Sequence, residues 1–250
     1  RRVFAHAPRR QSVLHRGEHR KESDDRYAMD ALRALRVKDP AVVAKAFTME
    51  DEEIRMWAAE RVARLRDALA RDESPPEVLE AAGKRALWVF EAMDYCRHRY
   101  GQAAVGSYVV SMARDIDDVL SVLLLARWAG LVDGSNGQVS LDVAPLFESV
   151  AALDAAGPTL TRLLADPIYR DHLAARGNRQ VVMIGYADSN KESGIASSRW
   201  LLRRAQEAML AACAAAGVHL LVFHGRGGGI SRGGSRTEAV VSSLPTAVAG

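Results

Sequence analysis

Four short apolar runs constrain this chain more than any other feature. They are residues 107–112 (SYVVSM), 141–147, 181–186 (VVMIGY) and 219–223 (HLLVF). Each has strand length and is rich in β-branched or aromatic residues. Between them lie stretches of helix-forming composition at about residues 116–128, 150–164 and 195–216, the last stopping at Gly217. Strand and helix in regular succession predict parallel strands joined by crossover helices. The runs are largely apolar rather than strictly alternating, as expected of strands covered on both faces. A closed barrel and an open doubly wound sheet both satisfy the pattern, and the excess of helix favours a barrel wrapped in extra helices.

Upstream, residues 40–71 read as helix, with Pro40 near its start. Ser74-Pro75-Pro76 interrupts it, and a second helix, with Pro76 near its beginning, runs to about Tyr100. The expected organisation is a single partial domain over residues 1–250, with a helical insertion at about 40–100. With 48% hydrophobic and 26% charged residues, the chain can build a sizeable core. No apolar run approaches the roughly 18 residues of a membrane span, so no membrane partner is expected. Cys96 and Cys213 lie far apart without metal-ligand spacing and read as core thiols. Residues 1–21 carry seven Arg or Lys against one acid, Glu18. That cluster suits an anion or nucleic-acid partner, or a solvated basic face.

The chemistry gathers behind the strands. Arg114 and Asp115 follow the first run, Glu148 the second, Asp188, Ser189 and Lys191 the third, and His224, Arg226 and Arg232 the fourth. In parallel α/β architectures these positions share one rim, where active sites form. Carboxylates on a rim suit Mg²⁺ or Mn²⁺, which take oxygen ligands and keep waters for substrate. Each one taken alone also suits a helix cap or a surface position. The stretch from His224 through Gly234 has six glycines in residues 225–234, with Arg226 and Arg232 among them. Glycines let backbone N–H groups approach an anion, and arginine grips phosphate or carboxylate with two parallel bonds. A flexible surface loop or an RGG-type nucleic-acid segment is the other reading. A short loop directly behind a buried strand favours an anion site that closes over its ligand.

These residues resemble a known family. VVMIGYADSNKESG is similar to the phosphoenolpyruvate carboxylase motif MIGYSDSxKDxG, and FHGRGGGISRGG to that family's FHGRGGxxGRGG loop. SYVVSMARDIDDVLSVLLL and VAPLFESVAALDAA resemble its preceding segments, and Arg9-Arg10-Gln11-Ser12 with His15 resembles its R-Q-x-S-x-x-H stretch. The likeness is dense over residues 103–250 and sparse before. It implies part of a phosphoenolpyruvate-binding (β/α)8 TIM-type barrel, in an enzyme that joins bicarbonate to phosphoenolpyruvate through carboxyphosphate and enolpyruvate, releasing oxaloacetate and phosphate. By motif match, Glu148 and Asp188 would hold Mg²⁺ or Mn²⁺. Arg9 and Arg226 would take the substrate phosphate, with Lys191 in the same anion site and Gly227 and Gly228 lining it. Arg232 would meet bicarbonate or carboxyphosphate, and His224 would orient that intermediate or handle its proton. A cytoplasmic, allosteric, anaplerotic homotetramer without nucleic-acid partners is implied for the full-length enzyme.

The sequence departs from the family pattern in places. Ala187 replaces a serine, Glu192 an aspartate and Ser231 a glycine, and Ser235 to Glu238 stand where Gly-Pro-(Ser or Thr)-His is usual. The family's TAHPT-like histidine motif and its C-terminal segments have no counterpart here, so the chain is expected to be a piece of a longer one and inactive alone. An altered homologue that binds anions or regulates remains an alternative, and a nucleic-acid-binding module a weaker one.

Overall fold

The structure, a computed structural model, describes residues 3–5, 51–111 and 113–225. In chain order the elements are β1 (Val3–Ala5), α1 (Asp51–Ala70), α2 (Ala81–Tyr100), a 3-10 turn (Gln102–Ala104), β2 (Val105–Val110), α3 (Ile116–Trp128), β3 (Asp142–Phe147), α4 (Val150–Ala165), α5 (Pro167–Ala175), β4 (Arg179–Gly185), α6 (Ala187–Ala215) and β5 (His219–Gly225). The described pairs β1–β2, β3–β4 and β4–β5 are all parallel. The fold is therefore mixed α/β, as the alternation of runs requires. It divides into two compact units, Arg1–Tyr108 with Asp117–Leu141, and Val109–Ile116 with Asp142–Gly250.

In the first unit the break after α1 is longer than Pro76 suggests. The chain bends at Glu77 and Val78, and α2 begins only at Ala81, where the Lys84 amide reaches the Glu80 carbonyl at 2.9 Å. Gly101, at φ 93, ends α2, and the 3-10 turn feeds β2 two residues earlier than the apolar run indicates. Buried Arg97 holds this corner by donating to the Val105 carbonyl at 2.6 Å and to Ser140 Oγ at 3.2 Å. Phe90 packs on Tyr108 with ring centroids 4.8 Å apart. Helix α3 has the predicted bounds and buries Val119, Leu120 and the run from Val122 to Ala126. A helix apolar on nearly every side belongs inside a core. Its C-terminal end is tied down by Arg127, which donates to the Leu69 carbonyl at 2.7 Å, and by Trp128 Nε1, which donates to the Glu73 carbonyl at 2.6 Å.

In the second unit every residue of β3 is buried, and β4 nearly so. This explains their largely apolar character; β5, expected to be covered on both faces as well, instead alternates exposed and half-buried residues. Helices α4 and α6 bury matching stripes: Leu153, Ala156, Leu160 and Leu163 on one, Leu202, Ala205, Met209 and Cys213 on the other. Each buried leucine contributes on the order of 2 kcal/mol. The two helices meet at Gly157, where a Cβ would lie 2.7 Å from that of Ala208. Ser149 caps α4 by accepting from the Ala152 amide at 3.1 Å. Burial lifts the Cys213 thiol to about 11, as expected of an inert core cysteine. Cys96 is only half-buried.

The N-terminal end of this sheet is a structural clamp. Asp142 accepts from Arg176 and Arg179, each at 2.8 Å. Buried Tyr169 donates to Gln180 Oε1 at 2.8 Å, and burial raises its phenol well above the usual range. His172 lies beside Tyr169, and its Nδ1 has no hydrogen-bond partner among the described residues. Burial, then the nearby Arg176, lowers its pKa to about 4. The unfolded imidazole titrates near 6.5, so between pH 6.5 and 4 the unfolded chain binds a proton that the folded chain refuses. The neutral form's stability is complete above pH 6.5 and is lost as pH falls through that window, by about 3 kcal/mol at the acid end. Urea unfolding at pH 7 and 4.5 should show this acid limb in the wild type and a shallower one in His172→Asn; equal limbs would reject the assignment.

Candidate functional site

The opposite, C-terminal end of the same sheet carries Glu148, Asp188, Lys191 and His224 among the residues singled out by chemistry. Phe147 is in register with Ile184, Ile184 with His224, and Gly185 with Gly225. Glu148, Gly185 and Gly225 thus form one rank across three strand ends. The rank is tight at Gly185. A Cβ there would lie 2.4 Å from Glu148 Cβ and 3.2 Å from both its Cα and Oε2, so the glycine leaves the space that the glutamate fills. A Cβ on Gly225 would meet Met183 Cε at 2.6 Å and the Ile184 carbonyl at 3.1 Å.

Asp188 enters from the next element. The Ser189 amide donates to the Glu148 carbonyl at 3.0 Å, which fastens the first turn of α6 to the end of β3. Buried Ser189 also shares a 2.7 Å hydrogen bond with buried Ser198. Glu192 Oε2 accepts from the Val150 amide at 2.7 Å, so this departure from the family pattern serves as a cap on α4. At Gly194, with φ 78, the backbone leaves helical geometry. Helix α6 is therefore two helices joined at a kink: a short one bearing Asp188 and Lys191, and the long one read from the sequence. Only glycine adopts that φ without strain.

The Asp188 side chain is 16% exposed, and Lys191 Nζ donates to its Oδ1 at 3.1 Å. Lys191 itself is exposed, so the pair contributes little to stability, but it places an ammonium beside the carboxylate. His224, half-buried on β5, shares a 2.7 Å hydrogen bond between its Nδ1 and the Tyr186 hydroxyl. Asp115 is occupied structurally, accepting from the Ile116 amide at 2.8 Å and from Arg162 at 2.9 Å. Arg9, Arg226, Gly227, Gly228 and Arg232 lie outside the described residues. Among the described residues no group of three or more His, Cys, Asp or Glu forms a metal cluster.

A sequence profile described as phosphoenolpyruvate carboxylase matches residues 14–250. The chain belongs to the phosphoenolpyruvate carboxylase family. It is 50% identical over 188 residues to a protein named phosphoenolpyruvate carboxylase from Xanthomonas euvesicatoria pv. vesicatoria, covering 75% of this chain and 21% of that one. Over 204 residues it is 40% identical to a protein of the same name from Mycobacterium avium, covering 80% of this chain and 21% of the relative. Over 198 residues it is 39% identical to one from Parasynechococcus marenigrum, covering 76% and 20%. The chain spans about a fifth of the length of the curated relatives it matches. Among the described residues no helix is long and apolar enough to cross a membrane.

Two residues at these strand ends were not singled out from the sequence: Gly185, which makes room for Glu148, and Tyr186, which meets His224. Glu192 was noted only as a departure, not as a cap on α4. Tyr186 stood inside the quoted motif, but its partner is 38 residues away and only the strand register pairs them.

Proposed function

We propose that the complete protein carrying this segment is a phosphoenolpyruvate carboxylase, and that the rim of the second unit is part of its active site. The observation that carries the reading is the rank at the strand ends: Glu148 against Gly185, fastened to the Asp188 turn, with His224 on the next strand. The donor chemistry fits Mg²⁺ or Mn²⁺, which Glu148 and Asp188 would hold and which would supply charge stabilisation for phosphoryl and enolate oxygens. Lys191 offers a donor to the anionic substrate, and His224 orients the carboxyphosphate formed when a bicarbonate oxygen attacks phosphorus and the bond to the enol oxygen breaks. Negative charge develops on both products of that step, so a rim rich in fixed donors lowers its barrier. Arg9 and Arg226 take the phosphate in this reading, and Arg232 the bicarbonate, with Gly227 and Gly228 lining the loop; family membership supports these roles. It also supports a cytoplasmic homotetramer.

The test is direct. The complete reading frame, purified, is expected to form oxaloacetate from phosphoenolpyruvate and bicarbonate in the presence of Mg²⁺ or Mn²⁺, and to stop when the ion is chelated. A folded protein that forms no oxaloacetate under these conditions would leave an altered, anion-binding homologue as the better reading.

A further inference from the structure

The contact between Tyr186 and His224 has a chemical direction. The two rings lie 6.1 Å apart, and the hydroxyl sits 2.7 Å from Nδ1. A phenol is a far stronger acid than a neutral imidazole N–H, and an imidazole nitrogen is a far stronger base than a phenol oxygen. The favoured arrangement has the tyrosine donating and Nδ1 accepting. In a neutral imidazole the proton then resides on Nε2, because the partner of one ring nitrogen fixes the state of the other. Tyr186 is itself well placed to impose this. It lies between β4 and the Asp188 turn, and its carbonyl accepts from the Asn190 amide at 3.4 Å. Ile184, two residues earlier, is the register partner of His224. One side chain thus links the strand bearing His224 to the turn bearing Asp188.

We infer that Tyr186 is the positioning residue for His224: its hydroxyl holds the proton on Nε2 and so presents the histidine to substrate as a neutral hydrogen-bond donor rather than as a base. This rests on the carboxylase reading and narrows the role of His224 within it. A donor suits the chemistry, since the species to be held is an anion rich in oxygen acceptors.

The tautomer can be read without any activity. In ¹⁵N spectra of the purified chain, with His224 assigned by its loss in His224→Gln, the Nε2–H form is expected to dominate in the wild type. Tyr186→Phe should mix in the Nδ1–H form. In the complete reading frame, Tyr186→Phe should lower kcat by about 10- to 100-fold, the scale of loss seen when the partner that orients a metal-ligating histidine is removed. KM for phosphoenolpyruvate should stay within about twofold, because only transition-state orientation is lost. His224→Gln, whose amide N–H sits near the Nε2 position, should retain more activity than His224→Asn, and adding Tyr186→Phe to it should cost little more. A dominant Nδ1–H form in the wild type, an unchanged kcat in Tyr186→Phe, or equal losses in the Gln and Asn variants would each overturn the inference. Absence of carboxylation by the wild-type reading frame would instead overturn the functional reading, and the tautomer spectrum would still stand as measured.

Discussion

In the complete reading frame, Glu148→Gln is expected to lower carboxylation by about 10³-fold, the equivalent of roughly 4 kcal/mol in the barrier. Glutamine keeps the shape that fits against Gly185 and keeps the backbone carbonyl that accepts from Ser189. What it removes is the negative charge, one of the two carboxylates assigned to the cation. Several kilocalories per mole of charge stabilisation depend on such an ion in reactions of this type. The effect should appear in kcat and in the Mn²⁺ concentration needed for half-maximal rate, with the protein still folded. Asp154→Asn is the control: that carboxylate is half exposed on α4 and only 3.9 Å from Arg204, a surface pair of little energetic weight. Its activity should match the wild type. If Glu148→Gln stayed within about tenfold of the wild type, Glu148 would not be a ligand.

How far the sequence alone reaches can be judged from particular residues. Helix α3 was legible to the residue because its apolar run is bounded by acidic and basic ends, with Asp117 and Asp118 in the first turn and Arg127 in the last. Strands β3 and β4 were legible because burial on both faces leaves a mostly apolar run, whereas β5, whose Leu221 and Phe223 are exposed, was legible from its apolar composition alone. Their ends shifted by a residue or two where the deciding features are polar. Arg179 and Gln180 open β4, yet they are held by Asp142 and by Tyr169, partners that lie elsewhere in the chain. Helix α5 was missed, although Asp166 accepts from the Tyr169 amide at 3.1 Å and Pro167 occupies the first helical turn. Its nine residues are too few to show a period. The candidate rim was legible as a set of residue types behind strands. Its geometry was not, because register is a property of paired strands and cannot be read from one of them. The closeness of Glu148 to Gly185, and of Tyr186 to His224, belongs to that register.

The glycine at that contact yields the second large effect. Gly185→Ala is expected to cost about 1–3 kcal/mol of stability and about 100-fold in turnover. The position does not need glycine for its backbone angles, since Gly185 is absent from the positive-φ glycines; it needs the space. The new methyl carbon would sit 2.4 Å from Glu148 Cβ, more than 1 Å inside an ordinary carbon–carbon contact of about 3.5–4.0 Å. The opposing atoms are the root of the glutamate side chain and its Cα, so no rotamer change relieves the clash, and either β3 and β4 separate or Glu148 moves. Movement would also strain the bond from the Ser189 amide that fastens the Asp188 turn. A displacement of about 1 Å at a reacting centre is enough for a hundredfold loss. Gly157→Ala separates this from plain destabilisation. Its methyl would lie 2.7 Å from Ala208 Cβ, a comparable intrusion, but at the α4–α6 contact. It should lower the unfolding midpoint while leaving kcat within about twofold for the folded fraction. Equal losses of kcat in the two variants, or a Gly185→Ala enzyme of wild-type kcat, would show that the tight rank at the strand ends does not govern turnover.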